Sequence, residues 1–131
     1  QLLKPEVELR FALGDVPSPI RMDRDRFELM ALNIAANADH AMPHGGVFSI
    51  GVAPGDDSGS VLEFTDTGSG MGEEVLARVF EPFFTTKPAG EGTGLGLSVI
   101  RDLVIRVGGT ISAQSQLGAG TTFKVALPAA V

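Results

Sequence analysis

The sequence predicts an α/β (α+β) two-layer sandwich, in which about three helices cover one face of a mixed, mostly antiparallel β-sheet. Five short runs have the pattern expected of strands. Longer runs repeat apolar residues at helical spacing, and clusters of Gly and Pro separate the runs. No internal repeat or domain boundary interrupts this order, so we expect a single domain over residues 1–131.

The first part of the chain predicts a strand followed by a long helix. The run "VELRFAL" (7–13) alternates like a strand, and the turn residues of "GDVPSP" (14–19) end it. Asp23 is suited to cap a helix that the Pro- and Gly-containing segment 43–46 closes. One face of this helix is expected to be buried, and its apolar residues are Phe27, Met30, Ala31, Ile34, Ala35 and Ala38.

The remainder predicts two strand pairs and two further helices. The stretch "EPFFTTKPAGEGTG" (81–94) between the helices is irregular, and its length is typical of functional or mobile loops. In chain order, the expected elements are a strand pair at 47–53 and 61–66, a short helix at 73–80, a helix at about 95–107 and a second strand pair at 110–116 and 121–128.

Composition excludes several classes of function. The chain has no cysteine, which rules out disulfides and thiolate metal sites. The net charge of −6 with no basic cluster argues against nucleic acid as a partner. No apolar run is long enough to cross a bilayer, so we expect no direct membrane contact. An acidic domain can still bind a nucleotide when backbone amides and a divalent cation offset the phosphate charge.

Two asparagines mark the long helix. Asn33 and Asn37 are one turn apart, and His40 falls close beside them, so the three share one flank of the helix. An amide oxygen is a good ligand for Mg²⁺, which takes few protein ligands and keeps phosphate and water. The alternative is a pair of surface amides without a function.

Asp66 ends a predicted strand and begins the pattern D-x-G-x-G with Gly68 and Gly70. A carboxylate at this place can accept a hydrogen bond from the amino group of adenine, whereas the carbonyl of guanine would be repelled. The two glycines would let a base lie against the main chain. An ordinary Asp-Gly turn is the alternative.

Three further segments complete the candidate set. The run "VFEPFFTTK" (79–87) contains three phenylalanines, which more often anchor a loop than bind a ligand, and Lys87, which could reach a terminal phosphate. The run "GEGTGLGLS" (90–98) precedes a helix, where backbone amides attract anionic oxygens, although a flexible linker is the alternative. The run "GAGTTF" (118–123) enters the last strand and could bring a threonine hydroxyl to a base.

Taken in order, these segments resemble the ATP-binding catalytic domain of sensor histidine kinases, which has the Bergerat (GHKL) fold. "NIAANADHA" resembles the N box, "DTGSGMG" the G1 box, "FEPFF" the F box, "GEGTGLGLS" the G2 box and "GAGTTF" the G3 element. The resemblance covers essentially the whole chain. The wording "FEPFFTTKPAGEGTGLGLS" is most similar to the branch of nitrogen-regulation sensors and hybrid kinases.

The resemblance implies ATP and Mg²⁺ as cofactors and assigns roles to residues. Asn37 would be the metal ligand, and Asn33 would help to hold the phosphates. Asp66 would bind the adenine amino group, and residues 85–93 would form a lid over the nucleotide. The other implied contacts to the nucleotide are His40, Gly68, Gly70, Met71, Phe84, Lys87, Gly92, Thr93, Gly94, Leu95, Gly96, Leu97 and either Thr121 or Thr122.

Two departures from the family pattern bear on activity. His40 stands where an acidic or basic side chain is common in the related branch, which could make a phosphate contact pH-sensitive. Asn33 stands where hydrolytic relatives have a glutamate base, and an amide cannot take a proton from water. The resemblance therefore implies a poor ATPase that passes the γ-phosphoryl group to a histidine.

Neither His40 nor His44 resembles the family's phosphoacceptor, so we expect that residue on a separate dimerisation domain. The resemblance implies that domain and a response regulator as partners, a homodimeric parent protein, a monomeric isolated domain and a cytoplasmic, bacterial location. A membrane anchor elsewhere in the parent protein is compatible with it. The alternatives are a non-catalytic nucleotide-binding pseudokinase and a serine kinase of the anti-sigma-factor type.

Overall fold

The computed structural model describes residue 3 and residues 5–13, 22–84 and 96–129. This part of the chain contains one five-stranded sheet and three α-helices, which confirms the predicted fold class. The elements are β1 (Val7–Leu13), α1 (Arg24–Ala41), β2 (Gly46–Pro54), β3 (Ser60–Asp66), α2 (Glu73–Arg78), α3 (Gly96–Arg106), β4 (Thr110–Gln116) and β5 (Gly120–Leu127). Each predicted element is confirmed, with ends that differ by at most a few residues.

The sheet is mixed and has the strand order β1-β2-β3-β5-β4. Strand β1 runs parallel to β2, with Val7 opposite Gly46, because α1 carries the chain back across the sheet between them. The other neighbouring pairs are antiparallel. This order places the end of β3 beside the start of β5, so that Asp66 lies opposite Thr121.

Helix α1 begins and ends where the sequence predicts. The Asp23 side chain accepts a hydrogen bond from the Arg26 amide at 2.8 Å, which satisfies one of the free N–H groups of the first turn. The helix ends at Ala41, shortly before Pro43. Gly45 then turns the chain into β2 with a φ of 94°, a backbone conformation that favours glycine.

The core lies between the helices and one face of the sheet. Side chains from α1 and α3 pack on inward-facing residues of β2, β3 and β5, and the Phe48 and Phe64 rings stack with centroids 6.4 Å apart. Within the described ranges, no helix combines the length and apolar character that membrane crossing requires. The most deeply buried core side chains are Met30, Ile34, Met42, Phe48, Phe64, Ile100, Val104 and Val125.

Candidate functional site

Asp66 is a buried carboxylate at the carboxyl end of β3, with only 6% of its surface exposed. Its Oδ1 atom accepts hydrogen bonds from the Gly68 amide at 2.8 Å and the Thr121 amide at 3.2 Å. Burial raises the pKa of Asp66, and these two backbone hydrogen bonds oppose the rise. Among the described residues nothing donates to Oδ2, so this oxygen is available to a ligand that carries a hydrogen-bond donor.

The loop after Asp66 is wedged between α1 and the β4–β5 turn. The Ser69 amide donates to the Ala41 carbonyl at 3.0 Å, which ties the loop to the last turn of α1. A Cβ atom on Gly68 would lie 2.5 Å from that carbonyl oxygen, and one on Gly70 would lie 2.0 Å from the Gln116 carbonyl oxygen. These glycines therefore permit close backbone contacts within the protein itself, whether or not a ligand is bound.

Asn37 lies about one turn, and Asn33 about two turns, before Ala41, the residue of α1 to which this loop is bonded. The Asn33 Nδ2 atom donates to the Leu29 carbonyl at 2.8 Å. The Asn33 Oδ1 atom lies 3.3 Å from the position that a Cβ on Gly96 would take, so this oxygen faces the first turn of α3. Asn37 is half-buried, and within the described ranges its side chain has no hydrogen-bond partner. His40 is exposed in the last turn of α1.

The first turn of α3 supplies backbone donors beside Asn33. The leading N–H groups of a helix have no partner inside the helix, and the helix dipole makes this end attractive to anions. Gly96 is the first residue of α3, and the half-buried Leu97 packs against the core and anchors this turn. The other predicted residues of the glycine-rich segment and lid, Lys87, Gly92, Thr93, Gly94 and Leu95, lie outside the residues that the structure describes.

Strand β5 brings one of its two candidate threonines to Asp66. Thr121 is buried, and its hydroxyl lies 2.8 Å from the Ser115 hydroxyl. Thr122 points to the opposite face of the sheet, where its hydroxyl lies 3.0 Å from that of Thr65. Successive side chains of a strand point to opposite faces, so Thr121 lies on the face of Asp66 and Thr122 does not.

The phenylalanines after α2 hold that segment to the fold. The Phe80 ring packs edge-on against Phe123 with centroids 6.2 Å apart, as expected for an anchoring residue. The Arg78 guanidinium lies 4.5 Å from the centroid of the Phe84 ring and also donates to Glu81. The structure thus gives Phe84 a partner on α2, and its predicted contact with a nucleotide stays a prediction.

Sequence reasoning missed Ser115. Its Oγ atom accepts a hydrogen bond from the Met71 amide at 2.7 Å and donates to the Gly120 carbonyl at 2.9 Å. It therefore joins the loop after Asp66 to the β4–β5 turn. The signal was present, because alternation along "TISAQSQ" places Ser115 on the same face as Thr121 of the neighbouring strand.

The model of the histidine kinase-, DNA gyrase B- and HSP90-like ATPases matches residues 22–131. The chain belongs to this family. The ATPase domain is 39% identical to the sensor kinase CckA of Brucella abortus over 98% of its length, and 42% identical to the sensor histidine kinase ZraS of Escherichia coli over 94%. It spans only 15% and 26% of the lengths of these two curated relatives.

Solved structures show the same fold for this ATPase domain. The catalytic domain of the histidine kinase ThkA superposes with a TM-score of 0.80 at 27% identity, covering 94% of this chain and 80% of that one. Full-length ShkA in complex with AMPPNP also gives 0.80, at 29% identity, covering 95% of this chain and 26% of that one. The prediction of an ATP-binding domain of the sensor histidine kinase type is confirmed, and the roles of its individual residues stay predictions.

Proposed function

We propose that this domain binds Mg·ATP and transfers the γ-phosphoryl group to a histidine on a separate dimerisation domain. The observation that supports this most strongly is the arrangement around Asp66. A buried carboxylate with one available oxygen lies on a loop that is bonded to α1, one turn from Asn37. This arrangement supports a base site at Asp66 that lies next to a phosphate site at the asparagines of α1.

The base site favours adenine. An ionised carboxylate only accepts hydrogen bonds, so the available Oδ2 of Asp66 matches an amino group and repels a carbonyl. The hydrogen bonds from Gly68 and Thr121 hold Oδ1 and thereby fix the direction of Oδ2 before a ligand arrives. In the resemblance to the ATPase family, this carboxylate oxygen would contact the amino group of the adenine of ATP.

The residues of α1 fit a magnesium ion. Asn33 donates through its nitrogen to the helix backbone, which leaves its oxygen toward α3, and the Asn37 amide is unpaired within the described ranges. Two neutral amide oxygens suit an ion that keeps most of its ligands from water and phosphate. When bound, Mg²⁺ would neutralise charge on the phosphates, and Asn37 would hold it. The amides of Gly96 and Leu97 would meet phosphate oxygens directly.

Transfer to a histidine fits this site better than hydrolysis. Water needs a base that removes its proton, and the amide of Asn33 cannot do this. A neutral imidazole attacks through a free lone pair: a nitrogen–phosphorus bond forms, the bond from phosphorus to the bridging oxygen breaks, and ADP leaves with those electrons. The domain's own task is to position and stabilise the phosphates.

The proposed partners follow because the ATP-binding domain and the attacking histidine are on different domains. The relatives are much longer than this chain, and we propose that the parent protein carries the dimerisation domain with its phosphoacceptor histidine, acts as a homodimer in the cytoplasm and passes the phosphoryl group to a response regulator. That ShkA was solved with AMPPNP, an analogue of ATP, supports nucleotide binding in this fold.

The test uses ATP labelled on its γ-phosphate. The 131-residue chain should bind the label without labelling itself, and it should label the dimerisation domain of the parent protein when that domain is added. A phosphoacceptor His→Ala variant of the added domain is the control and should stay unlabelled. Binding without transfer would overturn the kinase proposal and indicate a pseudokinase, and transfer to a serine would indicate a serine kinase.

The asparagine site has its own test. Asn37→Ala should lower the rate of transfer by about 100-fold or more, because one ligand that positions the charged phosphates is lost. Arg24→Ala is the control, since that side chain is exposed in the first turn of the same helix. A transfer rate in Asn37→Ala equal to that of the control would refute the metal assignment.

A further inference from the structure

Ser115 is the centre of a small hydrogen-bond network beside Asp66. Three described groups lie within hydrogen-bond distance of its Oγ atom: the Met71 amide at 2.7 Å, the Gly120 carbonyl at 2.9 Å and the Thr121 hydroxyl at 2.8 Å. Thr121 in turn donates its backbone N–H to Oδ1 of Asp66 at 3.2 Å. Ser115, Thr121 and Asp66 therefore form a row across β4, β5 and β3.

The protons of this network can be counted. A hydroxyl carries one proton and two acceptor lone pairs. The Met71 N–H can only donate to Ser115, and the Gly120 carbonyl can only accept, so the Ser115 proton goes to Gly120. The remaining contact is satisfied only if Thr121 donates to Ser115. Both hydroxyl protons are then directed away from Asp66, and Ser115 uses all of its hydrogen-bonding capacity.

We propose that Ser115 is a positioning residue for base selection, which turns the Thr121 hydroxyl into an acceptor next to Asp66. The base site then presents two acceptors from directly opposed residues of β3 and β5, the Oδ2 atom of Asp66 and the Oγ1 atom of Thr121. This pair matches an exocyclic amino group and rejects a carbonyl at the same position of a purine. The inference rests on the proposed binding of ATP, and it adds a residue of β4 that does not touch the nucleotide.

Loss of Ser115 should change the chemistry of the site as well as its stability. Without the Ser115 oxygen, the Thr121 proton has no partner in the network, and the hydroxyl can rotate and donate to the base. A purine with a carbonyl at C6 would then find a donor where it now meets an acceptor. The base site should become tolerant of inosine triphosphate, which differs from ATP at this position.

The experiment measures the dissociation constants of ATP and inosine triphosphate for the 131-residue chain. Ser115→Ala should reduce the preference for ATP over inosine triphosphate on the order of tenfold, the effect of about one hydrogen bond. Ser112→Ala is the matched control, because Ser112 lies exposed on the other face of β4 and should leave the preference unchanged. A Ser115→Ala chain that binds ATP with an unchanged preference would overturn the inference.

A second variant distinguishes the proposed effect from a general loss of structure. Thr121→Val removes the hydroxyl with little change in shape and should lower the preference as well. Adding Ser115→Ala to Thr121→Val should then change the preference no further, because Ser115 acts through the missing hydroxyl. Additive losses would refute this route. Failure of the unmodified chain to bind ATP would instead refute the proposed function.

Discussion

At the scale of single residues, Asp66 carries a charge in a place where charge is costly. The residue is buried, and two backbone amides compensate its carboxylate only in part, so that its pKa is raised. We expect such a group to be retained for what it binds, because an uncharged isostere would fit the ligand-free fold at least as well. Function and stability should therefore respond in opposite directions to its replacement.

Asp66→Asn should weaken ATP binding by about 10- to 100-fold, the effect of losing a hydrogen bond to a charged acceptor. The Asn side chain would keep an oxygen toward the amides of Gly68 and Thr121, and it would turn its NH₂ group toward the base. The same variant should be at least as stable as the wild type at pH 7. Calorimetric titration and urea unfolding measure the two effects. Unchanged ATP affinity would contradict the adenine assignment.

The raised pKa of Asp66 also predicts a pH dependence of stability. The contribution of this group is favourable below its ordinary pKa of 3.8 and is lost as the pH rises through the raised pKa of the folded state. The free energy of unfolding of Asp66→Asn minus that of the wild type should therefore increase with pH in this window and level off above it. Urea unfolding from pH 3.5 to 8 measures the difference, and a difference that falls with pH would refute the argument.

At the scale of elements, the loop between β3 and α2 owes its shape to two close backbone contacts. Gly70 has a φ of 71° and lies against the Gln116 carbonyl, so any side chain there would push the loop away from the β4–β5 turn. Gly72, two residues later, has ordinary backbone angles and space for a Cβ atom, with Leu117 at 3.5 Å. Gly72 is therefore a suitable control for Gly70 in the same loop.

Gly70→Ala should lower the free energy of unfolding by about 1–3 kcal/mol, because the Cβ atom both clashes and strains the backbone. It should also weaken ATP binding, since the displaced loop carries the amide that orients Asp66. Gly72→Ala should cost less, about 0.5 kcal/mol, because Gly72 has space for the Cβ atom and alanine is only a poorer N-cap for α2. Urea unfolding and ATP titration of both variants test this, and equal effects at the two positions would contradict it.

At the scale of the whole molecule, local chemistry explains why most of the fold could be predicted. The cap at Asp23 and the apolar stripe that includes Met30 and Ile34 define α1 without knowledge of its surroundings. The parallel pairing of β1 with β2 depends on how α1 crosses the sheet, which no short segment encodes. The strand order β3-β5-β4 likewise arises from packing of the complete sheet.

The site residues also divide into those that a short segment indicates and those that only the folded sheet brings together. Asp66 and the asparagines could be proposed from the sequence because their residue types are unusual at their places. Ser115 was missed although it alternates onto the face of Thr121, because a serine in an edge strand is ordinary and its three partners are distant along the chain or across a turn. The choice of Thr121 over Thr122 required the register of β5 with β3.

The proposed ATP site draws on α1, the loop after β3, β5 and α3, so a bound nucleotide should stabilise the whole molecule. ATP with Mg²⁺ at 100 times its dissociation constant should add about 2.7 kcal/mol to the free energy of unfolding. For a domain of this size the melting temperature should then rise by roughly 8–12 °C.

The rise should be smaller when EDTA removes the metal, because the phosphates lose their counter-charge. At the same nucleotide concentration, Asp66→Asn should show about half of the rise or less, because its affinity is about 10- to 100-fold lower. Scanning calorimetry measures all of these shifts, and a rise of equal size with GTP would contradict selection of adenine by the buried carboxylate.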